Sequence, residues 1–193
     1  MQTRLEMQSK ANACLGGWHI SLTGTQRAAI DWALVDDHQA ILDLSCADGH
    51  LLQYYTQRYQ LRACGVFYDA QKAQQMRDSL PSAEIMYAAS ADIPWQDDSF
   101  DRVLLTESLP SFGHPLDLLK ETSRVLKPGG ILIVVLRCLP FHKTLLMPFG
   151  GAGKEATISR RQLLEILEVQ GFEDVSLRQS RMVYAALIAH KSK

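Results

Sequence analysis

The feature of this sequence that most restricts its fold is a regular alternation of short apolar runs with amphipathic stretches. Short apolar runs predict buried strands, and stretches whose apolar residues recur three and four positions apart predict helices that cover them. The expected strands are 40–45, 61–67, 84–88, 101–106, 131–136, 172–178 and 182–190, and the expected helices are 50–59, 70–80, 115–127 and one that begins after Ser159 and ends before Gly171. Strands that alternate with helices indicate βαβ units with right-handed crossovers.

The pattern predicts an α/β fold with a Rossmann-like, doubly wound, mainly parallel sheet of seven strands whose last strand is antiparallel. A short polar link joins 172–178 to 182–190, so these two strands are expected to form a hairpin-like ending. The run Ile131-Leu132-Ile133-Val134-Val135-Leu136 is the most hydrophobic and is expected near the sheet centre. We expect a single domain, 1–193, on which an N-terminal helical segment, 1–35, packs.

Charge and cysteine usage exclude several classes of protein. Lys and Arg number 20 against 21 Asp and Glu, which gives a net charge of −1 and excludes the broad basic surface of a general nucleic-acid binder. No run approaches the ~20 apolar residues of a membrane span. The 4 cysteines are scattered without a C-x-x-C pair, so neither a disulfide framework nor a zinc site is expected. We therefore expect a cytoplasmic protein with reduced thiols and no metal.

The residues that follow the strands are the first to consider for function, because ligands of open α/β sheets bind at the carboxyl ends of strands. The first expected strand runs into Asp43-Leu44-Ser45-Cys46-Ala47-Asp48-Gly49. Small residues let a backbone loop approach a ligand, and the helix that follows offers free N–H groups. A tight strand-to-helix turn also needs small residues, so this segment alone leaves both interpretations open.

Two longer motifs lie in the middle of the chain. Ile93-Pro94-Trp95-Gln96-Asp97-Asp98-Ser99-Phe100-Asp101 opens the fourth expected strand, and Glu121-Thr122-Ser123-Arg124-Val125-Leu126-Lys127-Pro128-Gly129-Gly130 precedes the fifth. In this order and spacing the sequence closely resembles the class I S-adenosylmethionine-dependent methyltransferases, in particular the type-11 branch. The resemblance covers about 41–136 and resumes weakly at 163–175; Gly16-Gly17 and Leu22-Thr23 also resemble a segment of some members. It implies a Rossmann-like fold and S-adenosylmethionine as the cofactor.

The resemblance also implies a set of cofactor-binding residues, from which this chain departs at four positions. The family has acidic-x-Gly-Cys-Gly-x-Gly after the first strand, where this chain has Ser and Ala at the first two glycine positions; the family's ribose carboxylate falls on Phe67, and its acid near the adenine falls on Ala89. Asp69 is either a substitute ribose ligand or a helix N-cap, and Asp92 either approaches the adenine or caps the turn before Pro94. The candidates are Asp43, Ser45, Cys46, Ala47, Gly49, Phe67, Tyr68, Asp69, Ala89, Ser90, Asp92, Ile93 and Thr106.

Methyl transfer requires in-line placement of the reacting atoms and exclusion of water, so the sequence assigns no catalytic residue. His114 and His142 are possible general bases, although ordinary loop histidines are the commoner case, and Glu107 is the better candidate to line the pocket. The apolar, glycine-rich segment 140–154 is expected to form a flap that faces the substrate. The acceptor would be held by 1–23, the loop after Thr106 and 139–154.

Two hypotheses about function follow. The leading one is an S-adenosylmethionine-dependent methyltransferase that acts on an unidentified small molecule, without nucleic-acid or membrane partners. The alternative is a non-catalytic binding or regulatory protein that retains the methyltransferase fold, and it is motivated by Ser45, Ala47, Phe67 and Ala89. A nicotinamide-dependent oxidoreductase is disfavoured because no G-x-G-x-x-G follows a strand. The sequence does not define the acceptor or the oligomeric state.

Overall fold

The structure is a computed structural model, which describes residues 22–44, 46, 48–88, 90–106, 115–138, 144–147, 156–180 and 184–192. Strands and helices alternate along the chain, as the apolar periodicity predicts. The helices are α1 (Gly24–Ala33), α2 (His50–Arg58), α3 (Ala70–Ser79), α4 (Pro115–Val125) and α5 (Arg160–Val169). The strands are β1 (Ala40–Asp43), β2 (Arg62–Phe67), β3 (Ala83–Tyr87), β4 (Phe100–Leu105), β5 (Leu126–Cys138), β6 (Thr144–Met147), β7 (Ala156–Ser159), β8 (Phe172–Ser180) and β9 (Tyr184–Lys191).

The main sheet has the order β3-β2-β1-β4-β5-β9-β8. The first five of these strands pair in parallel, and β9 lies antiparallel to both β5 and β8. The predicted fold class and the predicted antiparallel ending are therefore confirmed. Two short strands extend the sheet at the end of β5, where β6 pairs with Arg137 and Cys138 and then with β7, both antiparallel.

Helices cover both faces of the sheet, because the strand side chains alternate between two apolar clusters. Apolar residues of α4 and α5 pack on one face, and those of α1, α2 and α3 pack on the other. The first face buries Leu42, Leu44, Val103, Leu105, Leu132 and Val134, and the second buries Ile41, Leu104, Ile133 and Val135. Among the described helices, none is both long enough and apolar enough to cross a membrane.

The boundary between α4 and β5 differs from the prediction. The segment Lys127-Pro128-Gly129-Gly130 resembles a helix stop, but α4 ends at Val125 and this segment is already part of β5. The reason is tertiary: the backbone N–H groups of Asp98 and Ser99 donate to the carbonyls of the last two helix residues, at 3.1 and 2.8 Å. A side chain on Gly130 would lie 2.8 Å from the Lys127 carbonyl oxygen, so glycine is required for a close backbone approach there.

Candidate functional site

The candidate site lies at the carboxyl ends of β1 and β4, where the strand order reverses and a crevice opens in sheets of this type. Asp43 ends β1 and Thr106 follows β4, and both are buried, with 2% and 1% of their surface exposed. The pairing continues past the end of β1, since Leu44 N–H donates to the Leu104 carbonyl at 3.0 Å. Buried polar residues therefore lie at both strand ends, in the region where sheets of this type bind ligands, which we call the carboxyl-end crevice.

Asp43 acts electrostatically on two other predicted site residues, Cys46 and Tyr68. Burial first, and then the negative charge of Asp43, raises the pKa of the Cys46 thiol well above its ordinary value. Burial and Asp43 in the same order raise the pKa of the Tyr68 phenol. Both groups therefore stay protonated near neutral pH, and the crevice holds a buried carboxyl side chain beside a neutral thiol and a neutral phenol.

The loop that joins β1 to α2 turns at a glycine which no other residue replaces without strain. Gly49 has φ +71° and N-caps α2, and a Cβ there would lie 2.8 Å from Met76 Cε and closer still to Met76 Sδ. Its carbonyl accepts the first helical hydrogen bond from Gln53 N–H, at 2.9 Å. The first backbone N–H of α2 also has a partner, because His50 N–H donates to Asp48 Oδ1 at 3.0 Å. The predicted strand–loop–helix unit is therefore present.

A contact that the sequence did not predict fastens α1 to this loop. Gln26, only 3% exposed, donates from Nε2 to Asp48 Oδ1 at 3.1 Å. Its other side-chain atom is fixed by the capping box of α1, in which Gln26 Oε1 accepts from Thr23 N–H at 2.9 Å and Thr23 Oγ1 accepts from Gln26 N–H at 3.2 Å. The Thr-x-x-Gln pattern is a signal for the helix start. The bond to Asp48 depends on tertiary structure.

The end of β2 is apolar. Phe67, at the position where the family resemblance implies a carboxylate, is 2% exposed and belongs to the core cluster that contains Cys46, Ala73 and Ile85. Asp69 is exposed and N-caps α3, and its Oδ1 accepts from Lys72 N–H at 3.0 Å. The N-cap, one of the two alternatives left open for Asp69, is thus confirmed.

The loop after β3 carries the remaining described candidates. Ser90 and Asp92 bond to each other, with 2.9 Å between Ser90 Oγ and Asp92 Oδ2 and 3.3 Å between Asp92 N and Ser90 Oγ. Both side chains are exposed, whereas Ile93 is 4% exposed and packs into the core. Asp92 therefore stabilises a local turn before Pro94, as the second alternative predicted.

This loop is held in place by the Arg124 cluster, which we define as Arg124, Glu121 and Asp97. Arg124 donates to the carbonyl oxygens of Ile93 and Trp95, both at 2.9 Å, and to Asp97 Oδ1 at 2.8 Å. It also bonds both Glu121 oxygens, at 2.8 and 2.7 Å.

Glu121 completes the cluster, because its Oε2 accepts from Ile93 N–H at 3.1 Å. The hydrogen bonds from Arg124 lower the pKa of Glu121. Both residues belong to a motif on which the resemblance rests, but the sequence did not predict what they bind.

The same loop lines an open cleft of about 380 Å³. It is lined by loop residues, among them Trp95 and Gln96, and by Arg62, the first residue of β2. Arg62 is at the amino end of its strand, and Ile93, a predicted neighbour of the adenine, is also among the lining residues. The Arg62 guanidinium is already paired with Glu84, at 2.7 Å.

Several predicted residues lie outside the described part of the chain. These are Ser45, Ala47, Ala89, Glu107, His114 and His142. Of the predicted flap, 140–143 and 148–154 are also outside it, and 144–147 form β6. Within the described ranges, no group of 3 or more His, Cys, Asp or Glu side chains is placed to hold a metal ion.

Comparison with known proteins agrees with this geometry. Residues 42–134, from β1 into β5, match the family described as the methyltransferase domain. Over these residues, which are just under half of the chain, the protein is similar to that family. The matched residues include the loop between β1 and α2, the end of β2 and the whole Arg124 cluster.

Two curated relatives align with about half of this chain. The phthiotriol/phenolphthiotriol dimycocerosates methyltransferase 1 of Mycobacterium ulcerans is 31% identical over 101 residues, which is 48% of this chain and 35% of the relative. The demethylmenaquinone methyltransferase of Chlamydia muridarum is 33% identical over 99 residues, 50% of this chain and 42% of the relative. The chain thus spans less than half the length of these relatives.

A solved structure shares the fold over nearly the whole chain. It is the 1,6-didemethyltoxoflavin-N1-methyltransferase of Burkholderia thailandensis, with bound 1,6-didemethyltoxoflavin and S-adenosylhomocysteine. The TM-score is 0.68 at 16% identity, over 99% of this chain and 88% of that one. At this identity the likeness concerns the fold alone.

Proposed function

We propose that this protein is an S-adenosylmethionine-dependent methyltransferase that acts on a small molecule in the cytoplasm, through a single domain over 1–193. The observation that carries the proposal is the buried Asp43 beside the Gly49 turn at the point where the strand order reverses. Both lie within the part of the chain that matches the methyltransferase domain family.

The fit of the cofactor is good at β1 and poor at β2. At β1, the left-handed Gly49 turn, at which Met76 leaves no room for a Cβ, and the start of α2 lie at the carboxyl end of the strand, where sheets of this type bind nucleotides. At β2, Phe67 supplies no hydrogen-bond acceptor for a ribose. We place the cofactor over 43–49, with its ribose near 67–69 and its adenine near 89–93. The proposed lining is Asp43, Ser45, Cys46, Ala47, Gly49, Phe67, Tyr68, Asp69, Ala89, Ser90, Asp92, Ile93 and Thr106.

When bound, S-adenosylmethionine supplies an activated methyl group on a sulfonium. The chain's own contribution is electrostatic and steric. A buried carboxylate at Asp43 favours a cation in the crevice, because its charge is poorly screened there. Thr106 is buried at the end of β4, and the Arg124 cluster fixes the loop that we place on the nucleoside side. These residues position the reacting groups and exclude water, which is what methyl transfer requires of a protein.

A small organic acceptor is supported by what related proteins are named for. The two curated relatives and the solved structure are named for three different methyl acceptors, none of which is a nucleic acid or a protein. The balanced charge of 20 basic and 21 acidic residues also agrees with a partner other than nucleic acid.

Calorimetric titration with S-adenosylhomocysteine tests the proposal through Asp43. The wild-type chain should bind, and Asp43→Asn should weaken binding by about 10-fold or more, since a hydrogen bond or ion contact to a charged group contributes about 1.5–3 kcal/mol. Asp78→Asn is the matched control, because Asp78 is exposed near the end of α3 and should leave the affinity unchanged. Absence of binding at millimolar ligand would contradict the proposal.

A further inference from the structure

The end of β2 lacks the group that usually recognises a nucleoside sugar. In nucleotide-binding sheets an acidic residue about 20 positions after the glycine loop accepts a hydrogen bond from a ribose hydroxyl. In this chain that distance from Gly49 leads to Phe67, the last residue of β2, and to Asp69, the N-cap of α3. The Phe67 ring is 2% exposed, and a phenyl ring accepts no hydrogen bond from a hydroxyl in the way that a carboxylate does.

The nearest carboxylate already has a structural role. Asp69 Oδ1 accepts from Lys72 N–H at 3.0 Å, and this bond caps α3. Each carboxylate oxygen has two lone pairs, so a ribose diol held by Asp69 would share Oδ1 with Lys72 N–H rather than have the carboxylate to itself. The two other carboxylates described between β2 and β3 lie elsewhere: Asp78 is at the end of α3, and Glu84 is paired with Arg62 at 2.7 Å.

The surroundings of this position are apolar. Met76 packs against Gly49 so closely that a Cβ there would lie 2.8 Å from Met76 Cε. Cys46, a protonated thiol, belongs to the same cluster as Phe67. The side chains packed around Phe67 therefore include a thioether and a thiol, neither of which accepts a hydrogen bond from a hydroxyl as a carboxylate does.

We infer that this site binds an adenosyl ligand without recognising its ribose hydroxyls, so that ligands lacking either hydroxyl bind about as well as the parent. The inference rests on the proposed function and names its specificity. Phe67 is the specificity-determining residue.

The test compares ligands on the unchanged protein by titration calorimetry. The probes are S-adenosylhomocysteine and its 2′-deoxy and 3′-deoxy analogues. We expect dissociation constants within about threefold of one another, whereas a site with a carboxylate on the diol loses about 10- to 100-fold when a hydroxyl is removed. A loss of 10-fold or more with either analogue overturns the inference and leaves the proposed function standing. If S-adenosylhomocysteine itself does not bind, both fall together.

Three variants test which residue determines the preference between S-adenosylhomocysteine and its deoxy analogues. Phe67→Asp should tighten S-adenosylhomocysteine and create a preference of at least about 10-fold over the deoxy analogues, because it supplies the missing acceptor. Phe67→Leu keeps the surface apolar, so the dissociation constants of the deoxy analogues and of S-adenosylhomocysteine should stay in a ratio near one. Asp69→Asn should also leave it near one; if it weakens only the parent ligand, Asp69 is the acceptor and the inference is wrong. If Phe67→Asp does not fold, the ligand series on the wild type still decides.

Discussion

Replacing Arg124 by methionine removes a cation that holds five acceptors at once while keeping most of the apolar stem. The guanidinium bonds the carbonyls of Ile93 and Trp95, one oxygen of Asp97 and both oxygens of Glu121. Methionine makes none of these bonds. It also leaves Glu121, whose side chain is 20% exposed, with no charged partner among them.

The magnitude follows from the burial of these groups. A hydrogen bond to a charged group contributes about 1.5–3 kcal/mol when buried. The Arg124 side chain is 30% exposed, so we discount each of its two carbonyl contacts and its Glu121 contact to about 1 kcal/mol for solvent screening. The free energy of unfolding should therefore fall by about 3 kcal/mol, which for a chain of this size lowers Tm by about 6–12 °C.

Urea unfolding of Arg124→Met and Arg161→Met at pH 7 tests this value. Arg161 pairs with Glu165 at 2.8 Å along α5, and its side chain is 90% exposed, so its loss should change stability by at most about 0.5 kcal/mol. The slope of the unfolding curve should stay constant while the midpoint shifts. If the two variants differ by less than about 1 kcal/mol, the Arg124 cluster does not hold the loop as we argue.

Three further predictions concern single side chains. Gly49→Ala should lower stability by at least about 2 kcal/mol and abolish S-adenosylhomocysteine binding, because of its positive φ and its contact with Met76; Met76→Ala in the same chain should recover part of the stability, and a stable single variant would contradict this. Arg124 holds the pKa of Glu121 low, so the ionised Glu121 stabilises the fold at pH 7 and loses this effect as it is protonated below about pH 4. Glu121→Gln should therefore have a lower free energy of unfolding than the wild type at pH 7, and the difference should disappear as pH falls below about 4. A difference that does not depend on pH would refute this. Asp69→Ala should lower thermal stability by about 1 kcal/mol through the lost N-cap, without changing the ratio of the affinities for S-adenosylhomocysteine and its deoxy analogues.

Apolar periodicity predicts this fold well because each element is specified by its own residues. The residues of β2 and α3 lie within a residue or so of the predicted bounds, and the Asp69 cap is visible as an aspartate directly before a helical pattern. The start of β5 was not predicted. There the local sequence, glycine after a basic residue, indicates a helix end near Lys127. The hydrogen bonds from the backbone N–H groups of Asp98 and Ser99 instead end the helix at Val125.

In the candidate site, too, some features were predicted from the sequence and others were not. The Gly49 turn and Asp43 follow from strand position and residue size. The Gln26–Asp48 bond spans 22 positions, and the bonds from Arg124 to the loop carbonyls span 29 and 31 positions. Such contacts leave no periodic trace in a single sequence, because they depend on how elements pack rather than on how each one forms.

A crystal structure of the full chain with S-adenosylhomocysteine tests the central claim most directly. The account predicts ligand density over the loop from Asp43 to Gly49, with the ribose against Phe67 and the adenine beside Ile93. It also predicts no carboxylate within hydrogen-bond distance of the ribose hydroxyls. A crevice closed by the protein's own side chains after soaking at millimolar ligand, or a ligand bound elsewhere, would contradict it.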